Sequence, residues 1–260
     1  MNSVDANGIS IHYTVEGSGP WVTLSHSLTT DLSMWDQLAV ALAPTFTVLR
    51  YDTRGHGKSS APDGAYRFEQ LCGDALGLLD ALQIARTHFV GLSMGGMIAQ
   101  HLALLAPQRL NKLVIANCTS RIPPEAAAIW DERIAQARAQ GTAALAEATL
   151  GRWFTHAFRS ARPDLMARIA AMIAATPVAG YVGCAEAIRR LDLTAHLPNI
   201  TTPTLVVVGA DDPGTPPAAS AVIAAAIPGA RLEIIPSASH LSCIEQPEIF
   251  NRLVANFLKG

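Results

Sequence analysis

A serine flanked by two glycines is the first feature of this chain that could do chemistry. Residues 91–95 read Gly-Leu-Ser-Met-Gly, which is the pattern G-x-S-x-G with Ser93 at its centre. An apolar run typical of a strand comes before it, and an apolar segment at helical spacing follows. Glycines suit a sharp turn from strand to helix, because the crowded backbone leaves no room for side chains. This context favours Ser93 as a nucleophile for acyl transfer over a plain connecting turn, and the residues that would complete a P-loop or a dinucleotide fingerprint are missing.

A serine hydroxyl is a weak nucleophile at neutral pH, so an imidazole must accept its proton. Of the eight histidines in the chain, His240 is the best placed, because it lies in a short loop that follows the last predicted strand. An acidic residue should orient that imidazole and should lie between the serine and the histidine in the chain. Asp211 and Asp212 both follow a predicted strand at residues 204–209. Their position alone leaves both of them open.

The tetrahedral intermediate of acyl transfer needs two hydrogen-bond donors for its negatively charged oxygen. One candidate is the backbone N–H of Met94, directly after the serine. The other candidate lies in the loop after the predicted strand 21–25, and we assign it to the backbone N–H of Leu28. Ser27 beside it is a candidate for binding substrate, although an ordinary loop hydroxyl is the alternative.

Strands and helices alternate along most of the chain, which predicts an α/β fold with a mostly parallel central sheet flanked by helices. Residues 8–15 alternate in polarity and predict an edge strand. Buried strands are predicted at 21–25, 46–50, 88–91, 113–116, 204–209 and 231–235, and helices at 35–42, 68–82, 95–105 and 247–258.

The alternation stops at residues 122–196, which are rich in alanine and arginine and predict helices without a strand. We expect this insertion to form a helical cap over the carboxyl edge of the sheet, where ligands bind in open α/β sheets. The core would then be residues 1–121 and 197–260, and cap and core would form one continuous structural unit, since no repeat or linker separates them.

Composition excludes several classes of function. The net charge is −2, and no run of lysine and arginine is interleaved with aromatic residues, so nucleic acid is not an expected partner. No leader peptide and no run of about 18 apolar residues is visible, which argues against secretion and against a membrane partner. Four scattered cysteines without zinc-ligand spacing predict a reduced cytoplasmic protein without a metal. The oligomeric state stays open, a homo-oligomer included.

The chain resembles the α/β-hydrolase superfamily over nearly its whole length, because four motifs of that family occur in it in the expected order. They are the turn at Ser93, the loop of His240, residues 209–216, which resemble G-x-x-D-x-x-T/V-P, and residues 52–59, which match D-x-R-G-x-G-x-S. The resemblance implies an α/β-hydrolase fold with Asp212 as the acid of a Ser-His-Asp triad.

The same resemblance bears on two loops beside the site. Many family members have His-Gly where this chain has Ser27 after a histidine, a departure that a main-chain donor tolerates. In the 52–59 loop, we expect Asp52, Arg54 and His56 to hold the fold and not to act on substrate.

A narrower resemblance is carried by residues 25–36, 152–155, 181–189 and 239–247, which look like those of 3-oxoadipate enol-lactonases, cytoplasmic enzymes of bacterial aromatic degradation. It implies that water opens a small lactone that bears a carboxylate, without a cofactor. Arg152 and Arg189 are then candidates for binding the carboxylate, with Trp130 and Trp153 as apolar walls. For each of these four residues, a purely structural role is the alternative.

Other functions stay open on the same residues. A carboxylesterase or perhydrolase would use the same machinery on another acyl substrate, and a C–C bond hydrolase of ring-cleavage products has a similar triad. A non-catalytic receptor for a small ligand is the alternative from a different class. Ser93 disfavours dehalogenases and epoxide hydrolases, which resemble this family but carry an aspartate nucleophile.

Overall fold

A computed structural model of the protein describes residues 2–260, whose strands form a single mixed sheet. The strands are β1 (Asn2–Ala6), β2 (Ile9–Gly17), β3 (Trp21–Ser25), β4 (Thr47–Tyr51), β5 (Thr87–Leu92), β6 (Leu110–Ala116), β7 (Thr204–Gly209) and β8 (Arg231–Ile235). Their order across the sheet is β1-β2-β4-β3-β5-β6-β7-β8. The first two pairings are antiparallel, and all the pairings from β4 to β8 are parallel.

Helices cover both faces of this sheet, which is why its central strands are mostly buried and rich in apolar residues. The helices outside the cap are α1 (Asp36–Leu42), α2 (Phe68–Ala81), α3 (Met94–Leu105), α9 (Pro217–Ala226), α10 (Ser242–Glu245) and α11 (Pro247–Lys259). Neighbouring residues of β5 point to opposite faces, so Phe89 packs in the same cluster as Ile98 of α3. Val90 packs in the other cluster, with Leu38 of α1 and Phe250 of α11.

The segment between β6 and β7 leaves the sheet and forms the helical cap. Its helices are α4 (Pro124–Gln140), α5 (Ala146–Trp153), α6 (His156–Ala161), α7 (Pro163–Ala175) and α8 (Val178–Ile188). The two ends of the insertion meet in an antiparallel bridge between Arg121 and Asp192. A hydrogen bond from Leu193 N to Ser120 O (2.8 Å) extends the bridge. The cap therefore leaves and rejoins the core at one point.

The predicted edge strand at residues 8–15 is wrong in one respect. The strand exists as β2, but β1 pairs with its outer side and forms the edge of the sheet. The two strands form a hairpin whose turn, Asn7-Gly8, has positive φ at both residues (50° and 76°). Asn-Gly is a strong hairpin signal in a sequence, but β1 is short and mostly exposed, so it lacks the apolar pattern by which strands are recognised.

The helices of residues 2–260 differ in length and in apolar character, the two properties on which a membrane crossing depends. None of them alone combines the length and the apolar character that a membrane crossing needs, and α7 with α8 meets that test only as a pair bent by 90°.

Candidate active site

Ser93 lies in the one-residue turn between the end of β5 and the start of α3. Its backbone has φ 56° and ψ −114°, a strained conformation for a residue with a side chain. The two flanking glycines are required by close contacts. A Cβ on Gly91 would lie 2.0 Å from the carbonyl oxygen of Gly95, and a Cβ on Gly95 would lie 2.0 Å from that of Ser25. The turn therefore holds the Ser93 side chain at the carboxyl edge of the sheet, where it lines a cavity under the cap.

His240 and Asp212 meet at the same edge, in the loops after β8 and β7. The Nδ1 atom of His240 lies 2.8 Å from Oδ2 of Asp212. That carboxylate is buried and also accepts hydrogen bonds from Thr215 Oγ1 (2.7 Å) and from the backbone N–H groups of Gly214 and Thr215. The neighbouring Asp211 is exposed to solvent. The geometry thus pairs Asp212, and not Asp211, with the histidine.

The surroundings of Asp212 keep its carboxyl group ionised. Burial alone would raise its pKa, but the charge of His240 and hydrogen bonds from His240, Thr215 and Asn117 outweigh burial and hold the pKa at about 2. A carboxylate that stays charged beside an imidazole can stabilise the imidazolium ion and fix the tautomer whose Nδ1 carries the proton. His240 also lines the cavity, as Ser93 does. The arrangement can therefore support proton transfer to and from a serine nucleophile.

Asn117 connects the loops that carry these groups, and sequence reasoning missed it. It follows β6, with φ 43°, and its Nδ2 donates to Asp212 Oδ2 (2.9 Å) and to Ser239 O (3.1 Å). Its Oδ1 accepts a hydrogen bond from Ser242 Oγ (2.5 Å). No motif marks this asparagine. Its position directly after a strand, at the edge where ligands bind, is the signal that could have found it.

The backbone N–H groups of Met94 and Leu28 are the predicted oxyanion donors. The first helical hydrogen bond of α3 runs from Met97 N to Ser93 O (2.9 Å), so the N–H of Met94 has no partner within the helix. Leu28 lies in the loop after β3 and lines the cavity together with Ser27. The Leu28 N–H has no hydrogen-bond acceptor among residues 2–260. Their role as oxyanion donors stays a prediction.

A reciprocal pair of buried histidines holds the loop of Leu28. His56 Nε2 accepts a hydrogen bond from the N–H of Thr29 (3.0 Å), which has a positive φ of 60°. In return, His26 Nε2 accepts one from the N–H of Thr53 (2.9 Å), in the loop that carries His56. An imidazole must be neutral to accept such a bond. Burial and the neighbouring His26 lower the pKa of His56 to about 3, which keeps it neutral. The two imidazoles thus join the loops after β3 and β4.

Asp52 and Arg54, in the motif at residues 52–59, bind other residues of the protein and do not reach the cavity. Asp52 lies 2.8 Å from the Nδ1 of His12 and accepts a hydrogen bond from the backbone of Leu32. Arg54 makes a two-pronged, buried ion pair with Asp74 at 2.6 and 2.7 Å. Neither Asp52 nor Arg54 lines the cavity beside Ser93.

The cavity between cap and core has a volume of about 790 Å³. The cap contributes Trp130 and Arg133 from α4, Arg152 and Trp153 from α5, and Tyr181 from α8. The ring of Trp153 stacks on that of His240, with centroids 6.4 Å apart. The predicted apolar walls, Trp130 and Trp153, therefore both face the cavity.

Arg133 and Arg152 bring two positive charges to the cavity without a carboxylate to balance them. Neither guanidinium forms an ion pair with any residue in the range 2–260. Among residues 2–260, the Arg152 side chain donates only to Thr149 Oγ1 (3.0 Å), and Arg133 lies over the ring of Trp130 at 5.1 Å. Burial, with the charge of Arg133, lowers the pKa of Arg152 to about 10, which leaves it charged at neutral pH. Both guanidinium groups therefore keep hydrogen-bond donors that can pair with an anion.

Arg189, the other predicted carboxylate-binding arginine, lies away from the end of the cavity that Arg133 and Arg152 line. It forms ion pairs with Asp131 and with Glu186 (2.8 Å), and it is not among the residues that line the cavity. Arg133, which sequence reasoning did not single out, lies there with Arg152. Its spacing of three residues from Trp130 on one helix face is the signal that could have found it.

The cap is hydrogen-bonded directly to the loop of His240. Ser239 Oγ donates to Arg152 O (3.0 Å), and Leu241 N donates to Trp153 O (3.1 Å). The buried Glu245 accepts hydrogen bonds from Ser239 N (2.8 Å) and from Thr155 N (3.0 Å). The charged end of the cavity and the catalytic edge of the sheet are thus parts of one hydrogen-bonded assembly.

Comparison with known proteins gives a consistent result. Residues 20–247 match the family described as alpha/beta hydrolase fold. The chain is 38% identical to 3-oxoadipate enol-lactonase 2 of Acinetobacter baylyi, over 99% of this chain and 96% of that protein. It is 33% identical to a putative carbamate hydrolase RutD of Stutzerimonas stutzeri, over 95% of each. The crystal structure of the enol-lactonase from Burkholderia xenovorans LB400 superposes with a TM-score of 0.96 at 43% identity, with all of both chains covered. The chain therefore belongs to the α/β-hydrolase family and is a hydrolase that acts on ester bonds.

Proposed function

We propose that this protein hydrolyses a small lactone that bears a carboxylate, namely 3-oxoadipate enol-lactone, to 3-oxoadipate. The observation that carries the proposal is the pair of arginines, Arg133 and Arg152, without carboxylate partners in the cavity that Ser93 and His240 also line. The likeness to enol-lactonases over nearly the whole chain supports it. A general esterase for neutral acyl groups would gain nothing from two partly buried cations in its active-site cavity.

In the first half of the proposed reaction, His240 Nε2 accepts the proton of Ser93, and Ser93 Oγ attacks the lactone carbonyl carbon. The N–H groups of Met94 and Leu28 donate to the oxyanion of the tetrahedral intermediate. The ring C–O bond then breaks, and His240 returns the proton to the enolate oxygen. The enol tautomerises to the ketone. Because the substrate is cyclic, its leaving group stays attached to the acyl-enzyme.

In the second half, water takes the place of the serine. His240 accepts a proton from the water as it attacks the acyl carbon, and then returns that proton to Ser93 Oγ. The ionised Asp212 stabilises the imidazolium ion in both halves. The proposed reaction needs water and the lactone, and no cofactor.

The substrate carboxylate would bind at the cap end of the cavity. A guanidinium offers two parallel N–H donors to a carboxylate, and such a charge-assisted pair is worth about 1.5–3 kcal/mol. Arg152 would supply this pair, with Arg133 adding charge and Tyr181 a hydroxyl. Ser27 lies at the opposite, core side of the cavity, beside the proposed oxyanion donor Leu28.

The four cysteines are all free and buried, which supports a reducing compartment, the cytoplasm, as the location of this enzyme. The resemblance to enol-lactonases supports a role in aromatic degradation.

The test compares the enol-lactone with p-nitrophenyl acetate, an ester without a carboxylate, in Arg152→Met and Arg189→Met. We expect Arg152→Met to raise KM for the lactone about 10- to 100-fold, from the pair energy given above, and to change acetate hydrolysis less than threefold. Arg189→Met is the matched control, because it removes a cap arginine outside the cavity.

Three other results would each rule out one part of the proposed function. Acetate hydrolysis without lactone turnover would leave a general esterase and end the lactone proposal. Equal losses with both substrates in Arg152→Met would end the carboxylate assignment. A protein that hydrolyses neither and is not labelled at Ser93 by a fluorophosphonate would be a ligand receptor.

A further inference from the structure

One part of the mouth of the cavity, which we call the apolar mouth, is formed by aliphatic side chains, and the exposed Arg121 lines the cavity elsewhere. Ile129 of the cap helix α4 lines the apolar mouth, and Ala219 and Val222 of α9 line it from the core. Ile129 and Val222 are each 47% exposed, although they are large and apolar. The apolar mouth thus offers apolar surface from both sides of the boundary between cap and core.

The proposed lactone leaves most of this cavity empty. Its ten non-hydrogen atoms occupy at most about 300 Å³, even at the ~30 Å³ that one water molecule takes up in the liquid. The cavity measures about 790 Å³. The lactone also releases no separate alcohol, because its enol oxygen stays in the acyl chain. No step of the proposed reaction therefore uses the apolar mouth.

We infer that the apolar mouth is a binding site for the alcohol part of an ester, and that the enzyme also hydrolyses monoalkyl esters of six-carbon dicarboxylic acids. This inference rests on the proposed function, because it keeps the same site for the carboxylate. The lactone forms an acyl-enzyme whose chain ends in a carboxylate six carbons from the ester carbon, counting both. A monoalkyl adipate forms an acyl-enzyme of the same length and charge.

The reaction balances without any further reactant. Ser93 Oγ attacks the ester carbonyl, the bond from acyl carbon to alkoxy oxygen breaks, and His240 passes the serine proton to the departing alcohol. The alcohol leaves through the apolar mouth. Water then releases adipate and restores the serine hydroxyl.

The test measures kcat/KM for monomethyl and monobutyl adipate, by release of adipate, with butyl hexanoate as the ester without a carboxylate. Full burial of one methylene raises kcat/KM about fourfold. At a half-open mouth we expect about half of that binding free energy, which is about twofold in kcat/KM. Three added methylenes therefore predict a preference for the butyl over the methyl ester of roughly tenfold. Methyl and butyl esters have nearly the same chemical reactivity, so the ratio reports binding. We expect butyl hexanoate to react at least tenfold more slowly than monobutyl adipate.

Val222→Asp should reduce the butyl-to-methyl ratio to about one or two, since it places a charge against the alkyl chain. Ile234→Asp is the matched control, because Ile234 is similarly exposed (51%) but lies on β8, outside the cavity. The ratio is the readout, so a general loss of activity cancels.

The outcomes separate the inference from the proposed function. An enzyme that opens the lactone but hydrolyses neither monoester, or hydrolyses both equally, would overturn the alcohol site and leave the proposed function intact. An enzyme that shows the butyl preference but does not open the lactone would support the site and refute the lactone assignment.

Discussion

Replacing Asp212 by asparagine removes one carboxylate charge and should lower both the stability and the activity of the protein. The substitution keeps the shape of the side chain and removes the charge that lies 2.8 Å from His240 Nδ1. The amide can also turn its NH₂ group towards Nδ1, which would force the proton of the imidazole onto the wrong nitrogen. We expect turnover of p-nitrophenyl acetate to fall about 10³- to 10⁴-fold.

The effect on stability follows from the pKa of Asp212. The folded protein holds that pKa at about 2, against an ordinary value of 3.8, because the charge of His240 and hydrogen bonds from His240, Thr215 and Asn117 outweigh the cost of burial. The difference is worth about 2 kcal/mol of unfolding free energy. Because the folded pKa is the lower one, this contribution is fully present above pH 3.8 and is lost as the pH falls through about 2.

The assay is urea unfolding of the wild type and of Asp212→Asn from pH 7 to pH 2. We expect the variant to be less stable by about 2 kcal/mol at pH 7, and we expect the gap to close towards pH 2. Asp211→Asn is the matched control, since it neutralises the exposed neighbour and should change neither property. A gap that stays constant over this range, or an equal loss of activity in Asp211→Asn, would show that the charge of Asp212 is not the source of these effects.

Two further predictions concern groups that hold the site from outside it. Glu245→Ala should lower the unfolding free energy in urea by about 2–4 kcal/mol, because it leaves the buried N–H of Ser239 and the partly buried N–H of Thr155 without their acceptor. Glu245→Gln should cost about half as much, and an alanine variant as stable as the wild type would contradict this. His56→Ala should lower kcat for p-nitrophenyl acetate about 10- to 100-fold with KM within twofold, since the N–H of Thr29 loses the acceptor that fixes the oxyanion loop. A change in KM alone would show that the loop serves binding instead.

The sequence predicted those parts of the site that local patterns specify. Gly91 and Gly95 mark the turn at Ser93 because a Cβ on either would meet backbone, that of Gly95 in the case of Gly91 and that of Ser25 in the case of Gly95. His240 was recognisable from its place after the last strand. Asp211 and Asp212 could not be separated by position, because only the folded loop shows which carboxylate turns inward.

Side chains of the cap were harder to predict, because their direction depends on how helices pack against the core. Arg152 faces the cavity, whereas Arg189 turns towards Asp131 and Glu186, and no local pattern distinguishes the two. Asn117 was missed for a related reason: its partners lie 95 and 122 residues away in the chain. In the fold, β1 was missed because an exposed edge strand needs no apolar residues.

The loss of ultraviolet absorbance of freshly prepared 3-oxoadipate enol-lactone, followed with the wild type and with Ser93→Ala, tests the proposed chemistry most directly. We predict rapid ring opening by the wild type and a fall of several orders of magnitude in a folded Ser93→Ala variant, because nucleophile, base and acid act as one unit. Near-normal turnover by that variant would contradict the assignment of Ser93, and the absence of lactone turnover by an otherwise active wild type would contradict the assignment of the substrate.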